Sequence, residues 1–126
     1  MNATNQIASK TRYSDEELAE FKAIINKKLN RAKEQFNYIR NQMQDLADNP
    51  DSKIKGLDDA TGVAEAEQLN SSAARLQKHI QHLENALIRI ENKVYGICRA
   101  TGKLISKQRL KAVPHATLSI EAKQNR

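Results

Sequence analysis

Apolar side chains recur at Leu18, Phe21, Ile25, Leu29, Ala32, Phe36, Ile39, Met43 and Leu46, in steps of three and four with one step of four repeated. Steps of that size place the residues on one stripe of an α-helix, and the repeated four marks a local register shift in a coiled-coil seam. A second run, Ala66, Leu69, Ala73, Leu76, Ile80, Leu83, Leu87, Ile90 and Val94, alternates threes and fours without a break. Neither run has the period of two that a half-buried strand needs. Polar and charged residues fill the positions between, as on a solvated helix surface.

The ends of the first run carry their own signals. Ser14 with Glu17 three residues on forms a capping box, and Tyr13 and Leu18 flank it at the spacing of a hydrophobic staple. Pro50 disfavours helical backbone at the residue before it and has no amide hydrogen, so the first helix is predicted to end near Asp48. Two seams of similar length joined by a short loop zip most simply against each other as an antiparallel hairpin. The predicted organisation is an N-terminal extension over 1–13, a coiled-coil hairpin over 14–94 with its tip loop at 49–62, and a base over 95–126. At 1.5 Å per residue each helix would be roughly 50 Å long, which would hold the tip far from both chain ends. In the base, Ile97, Leu104, Ile105, Leu110, Val113, Leu118 and Ile120 are expected to make a second small core on which the hairpin depends.

Composition agrees with long helices. Among 126 residues there are four Gly, two Pro, no Trp and 4% aromatics, too few turn formers and large side chains for an all-β fold. One cysteine cannot form an internal disulfide, and no stretch has the apolar core of a signal peptide or the length of a membrane span, so a cytoplasmic protein is predicted. The net charge of +6 changes the picture only through its placement: residues 95–126 alone sum to +6, and the rest of the chain is close to balanced. A Gly-rich phosphate loop and a nucleophile with a neighbouring base are both missing, which argues against an enzyme.

The stretch "YGIC" at 95–98, followed by "GKLI" at 102–105 and "RLKAVPHATLSI" at 109–120, has the look of half a zinc knuckle with Cys98 as its one thiol. Together with the two long helices and "DDAT" at 58–61, these residues resemble the DksA/TraR-type transcription factors, coiled-coil hairpins with a zinc-knuckle base that act on bacterial RNA polymerase. The resemblance covers about residues 14–123. It implies a mainly α fold: a long antiparallel coiled-coil helical hairpin with a small zinc-knuckle-like C-terminal base lacking most metal ligands.

The family's metal pattern, C-x2-C-x17-C-x2-C, falls on Cys98, Thr101, Ser119 and Ala122. Zinc is held by deprotonated thiolates, whereas Thr and Ser hydroxyls keep their protons near neutral pH and Ala offers no donor, so no zinc or other cofactor is expected. His79 and His82 flank the seam and are predicted to face solvent, leaving His115 as the histidine nearest the knuckle. The small replacements are expected to let the knuckle collapse around Cys98, with hydroxyls bonding the turn backbone.

The resemblance further implies a working tip whose acidic and alanine positions fall on Lys55, Asp58 and Ala60, and a polymerase-contacting arginine at Arg75. Lys55 would reverse the charge at one tip position. Asp58, Asp59 and Thr61 also have the chemistry of ordinary N-terminal caps. The family's guanosine tetraphosphate site falls on His82, Val113 and Lys123, of which only Lys123 keeps a base, so that nucleotide is not expected to bind. The function implied is regulation of transcription by a monomer that inserts its tip into the polymerase secondary channel and modulates initiation. Two other readings stand beside it: direct nucleic-acid binding through Arg99, Lys103, Lys107, Arg109, Lys111, Lys123 and Arg126, and a structural coiled coil whose seams pair between chains.

Overall fold

A computed structural model describes residues 11–48 and 60–124. Its described residues hold four helices and no strand: α1 (Asp15–Asp48), α2 (Ala60–Glu91), α3 (Lys107–Ala112) and α4 (Ile120–Gln124). The chain divides into two compact units, one of Leu29–Gln81 and one of Met1–Lys28 with His82–Arg126.

In the Leu29–Gln81 unit, the later part of α1 runs antiparallel to the earlier part of α2. Met43, Leu46 and Ala47 face Ala66 and Asn70 across a shallow groove of about 250 Å³. Leu29 and Ala32 are buried, and the other seam positions from Phe36 to Leu46 and from Ala66 to Ile80 are half-buried. Partial burial is what a two-helix ribbon allows, since no third layer covers the seam. The predicted tip loop ends too late: α2 starts at Ala60 and carries Thr61 and Gly62 within it. One helical glycine costs only about 1 kcal/mol relative to alanine, which does not stop a helix from running back to an adjacent Ala.

The second unit is a three-sided core around the start of α1. The capping box forms as predicted, with the Ser14 amide donating to Glu17 Oε1 at 2.9 Å and the Glu17 amide donating to Ser14 Oγ at 3.1 Å. Leu18, Phe21 and Ile25 of α1 and Leu83, Ala86 and Ile90 of α2 are all buried. Tyr13, the last residue of the predicted extension, is buried as well. Its ring meets Phe21 edge-on at 5.5 Å, Phe21 meets Tyr95 at 5.2 Å, and the Tyr13 hydroxyl donates to the Ile105 carbonyl.

Two seam positions differ from prediction. Ala86 is fully buried where Leu87 was expected and Leu87 is half-buried; 83, 86 and 90 also step by three and four, so the helix can present either set. Val94 is 45% exposed because α2 has already ended. The Val94 amide donates back to Arg89 O and the Lys93 amide to Ile90 O, both at 3.0 Å, while Lys93 takes φ 63°. That is a Schellman end with lysine where glycine is usual, and it turns the chain off the helix stripe three residues before the predicted boundary.

Beyond α2 the backbone folds back on itself. Ile97 and Leu104 form an isolated antiparallel bridge, the Cys98 amide donates to Lys103 O at 2.8 Å, and the Gly102 amide donates to Cys98 O at 2.8 Å, closing a tight turn. Gly96 has φ 80°, and a Cβ there would lie 2.7 Å from the Tyr13 ring and 3.1 Å from Leu110 Cδ1. Ser106 caps α3 by accepting from the Arg109 amide. Of the expected second core, Ile105, Leu110 and Leu118 are buried, joined by Tyr95, Cys98 and Ala116, while Ile97, Leu104 and Val113 are half-buried. Ile120 is not part of it: as the first residue of the short α4 it is 49% exposed.

Candidate functional site: a thiol-centred knuckle and a basic cleft

The four positions of the expected metal pattern converge. Ser119 donates its backbone amide to Cys98 Sγ at 3.4 Å, and its Oγ lies 3.8 Å from the same sulfur. That Oγ also accepts from the Ala122 amide at 3.1 Å, which caps α4, while Thr101 Oγ1 accepts from the Lys103 amide at 3.2 Å. The Thr101 side chain first, and the Ser119 amide second, pull the buried Cys98 thiol down to about 6. These groups do not fit zinc. One sulfur, two hydroxyls that keep their protons and a methyl group offer one thiolate where a closed tetrahedral site needs four nitrogen or sulfur donors.

Other bonds hold the same segment. The Arg99 amide donates to Thr117 O at 2.9 Å and its Nε to Thr117 Oγ1 at 3.1 Å. Arg109 Nε donates to Leu118 O at 2.8 Å, Arg89 Nη2 to His115 O at 3.3 Å, and the Tyr95 hydroxyl to Pro114 O at 2.8 Å. Burial pushes the Tyr95 hydroxyl up, which keeps it a donor, and burial also lowers Arg89 from its ordinary value. On the opposite side, Lys107 Nζ meets Glu17 Oε2 at 2.6 Å and Lys93 Nζ meets Asp15 Oδ1 at 3.0 Å, tying the base to the first turn of α1.

His82, Val113 and Lys123, which the sequence places far apart, line one cleft of about 260 Å³. Arg89, Arg109 and His115 line it too. His82 is exposed, as predicted for a surface histidine, yet its ring stacks on that of His115 with centroids 5.3 Å apart and planes 9° from parallel. Arg89 was legible as a partner of His82, because seven residues along a helix make two turns and return to the same face. Arg109 and His115 had no such local signal. Arg75, in the other unit, is exposed on α2 and donates to Ser72 Oγ at 3.2 Å. Of the tip positions, Ala60 is the first residue of α2, and Lys55 and Asp58 lie outside the described residues.

Residues 93–125 match the model of the prokaryotic dksA/traR C4-type zinc finger. Over 50 residues, 40% of this chain, the sequence is 44% identical to the RNA polymerase-binding transcription factor DksA of Caulobacter vibrioides, a match that covers 35% of that protein. The base of this chain is therefore similar to that of the DksA/TraR type. The uncharacterized protein YteA of Bacillus subtilis is 39% identical over 64 residues, 51% of this chain and 27% of that one. The matches thus span about a third of the length of these curated relatives. For the fold, the structure of transcription factor DksA2 from Pseudomonas aeruginosa superposes with a TM-score of 0.79, covering 94% of this chain and 87% of the other at 24% identity. The mainly helical, coiled-coil hairpin class expected from the two seams is therefore shown. None of the helices is long and apolar enough to cross a membrane among the described residues.

Proposed function

We propose that this chain is a transcription regulator that binds bacterial RNA polymerase and inserts the end of its α1–α2 hairpin into the secondary channel to modulate initiation. The observation that carries the reading is the pairing of a hairpin fold shared with DksA2 and a base that matches the dksA/traR finger. In this reading Asp58 and Ala60 act at the tip, Lys55 alters the charge there, and the exposed Arg75 contacts the polymerase. No chemistry is performed by the chain, and it works in the cytoplasm as a monomer. Guanosine tetraphosphate is not assigned as its ligand, because Val113 supplies no donor where a phosphate would need one.

The base serves this function without zinc. Its thiol-centred bonds and the Arg99 and Arg109 tethers to Thr117 and Leu118 do the cross-linking that a metal does elsewhere. Metal analysis of purified protein should find no stoichiometric zinc, and a chelator should leave the melting temperature unchanged; the opposite on either count refutes the point. The nucleic-acid reading is disfavoured by the same bonds, since Lys107 is paired with Glu17 and Arg99 and Arg109 are engaged by the fold.

Association with purified RNA polymerase tests the main proposal. Wild-type chain should bind core enzyme and change transcription from sensitive promoters. Asp58→Asn should still bind but lose the effect, and Arg75→Ala should bind more weakly. A wild-type chain that neither associates with polymerase nor alters any transcript overturns it.

A further inference from the structure

The hairpin unit of Leu29–Gln81 is charged unevenly along its length. Over 29–43 and 70–81, the half away from the tip, five exposed cations, Arg31, Lys33, Arg40, Arg75 and Lys78, stand against Glu34. Over 44–48 and 60–69, the half toward the tip, the exposed Asp45, Asp48, Glu65 and Glu67 have no cation among them. The halves therefore carry +4 and −4. A ribbon of this kind is complementary to a second copy of itself laid antiparallel, which sets each basic half on an acidic one.

One flank of the unit suits that contact. Ala47 and Asn70 line the groove on one side of the seam. Asp45 and Ser72 stand two residues from them, about 200° round each helix, and so lie on the other side. Arg31, Tyr38 and Asp45 recur every seven residues, as do Glu65, Ser72 and His79, and two helical turns return each set to one face. In the middle of this flank Tyr38 is 63% exposed, more than any other large hydrophobic residue among those described. Its hydroxyl accepts from Gln42 Nε2 at 2.9 Å and keeps its own proton to donate. The groove sets 43–47 opposite 66–70, so Asn41 and Gln42 lie level with Ser71 and Ser72. A two-fold axis crossing there brings Tyr38 of one copy to Asp45 of the other, and Glu65 to the level of Lys78 and His79.

We propose that this flank is a self-association surface, through which two copies of the chain pair antiparallel, with Tyr38 as the anchor against Asp45 of the second copy and the charged halves setting the direction. About twenty residues of helix at 1.5 Å each, and two helix diameters across, give a face of about 30 by 20 Å, roughly 600 Å² per copy. That is the lower end of the range for specific interfaces, so the pair is weak and reversible, with a dissociation constant on the order of 10–100 µM. Pairing covers the flank to which Arg75 belongs, one turn before His79, so the single chain is the form free to engage the polymerase. That consequence alone rests on the polymerase reading; the pairing rests on the hairpin's own charges.

Sedimentation equilibrium of the full chain, from about 10 µM to about 1 mM, tests this at salt of about 50 mM and about 500 mM. Dimer should form at the lower salt and weaken about tenfold at the higher, where charges are screened beyond a few ångströms. Tyr38→Ala, an exposed helix position at which alanine is a good former, should weaken pairing about fivefold or more with no change of charge. Arg31→Glu with Lys78→Glu, and separately Asp45→Lys with Glu65→Lys, should each leave single chains. Mixing those two variants should restore pairing between them, because the acidic half of the first still matches the basic half of the second. Circular dichroism checks that both fold; should one not, Tyr38→Ala and the salt series still decide. Wild type that stays single at about 1 mM in low salt, pairing that survives either double reversal, or a mixture that does not pair would each overturn the proposal. Reversals that change polymerase association while wild type never pairs would give the flank to the polymerase and overturn it too. Polymerase binding by wild type is measured in its own assay, so failure of one proposal is told from failure of the other.

Discussion

Replacing Gly96 with alanine should separate two costs that usually come together. Gly96 and Gly102 both sit at positive φ, 80° and 74°, so an L side chain at either pays the left-handed penalty of about 1–2 kcal/mol. Their surroundings differ. A Cβ at Gly102 meets nothing within 4 Å, whereas at Gly96 it would lie 2.7 and 2.8 Å from two ring carbons of Tyr13. That ring cannot simply swing away, because its hydroxyl is bonded to the Ile105 carbonyl and it packs against Phe21 in an edge-on pair. Overpacking of this kind costs about 1–3 kcal/mol, so Gly96→Ala should lose about 2–5 kcal/mol and Gly102→Ala about 1–2. Urea unfolding followed by circular dichroism gives both values from the same baseline. Equal losses for the two variants would mean that Tyr13 does not press on Gly96 and that the α1 entry is not docked on the base as described.

Tyr95→Phe removes the buried donor to Pro114 O and strands that carbonyl, so it should cost about 1–3 kcal/mol in the same assay; a neutral result would show the carbonyl reaching water. Lys93→Gly relieves a left-handed residue worth about 1–2 kcal/mol at the loss of an exposed, solvent-screened pair with Asp15, so it should be neutral to stabilising, and a clear loss of stability would contradict the Schellman end. The lowered Cys98 value has a defined sign: its ionised form favours the fold fully above the unfolded thiol's range near pH 8.5–9, and that contribution is lost as pH falls to about 6. Thiolate absorbance should accordingly titrate near pH 6 in the folded chain, and Cys98→Ala should flatten the change in melting temperature between pH 9 and 6; a thiol that titrates above 8 would refute the bonding around it.

How far the chain could be read in advance depended on whether the information was local. Leu18, Phe21 and Ile25 are one helix stripe, and Ser14 and Glu17 are one helix start, so spacing alone placed them. Spacing marked Tyr13 only as a staple beside Leu18 and did not mark Tyr95 at all, because both hydroxyls are placed by residues far along the chain: Ile105 for one, Pro114 for the other. The end of α2 was misplaced for a related reason. Apolar spacing continues through Val94, but the backbone obeys the Lys93 turn, and nothing in a lysine announces positive φ.

The knuckle and the cleft show the same limit from opposite sides. The loss of three ligands was plain from Thr101, Ser119 and Ala122, but what replaces them was not. Ser119 works because one residue gives its amide to Cys98 and takes the Ala122 amide on its hydroxyl, a double use that depends on α4 starting at the next residue. His82, Val113 and Lys123 read one by one looked like a site stripped of its bases. Folded, they stand beside Arg89 and Arg109, cations that the chain carries at other sequence positions, so the charge has moved rather than disappeared. Counting matched positions therefore underestimates the charge lining a cleft whenever a neighbour on another element can supply it.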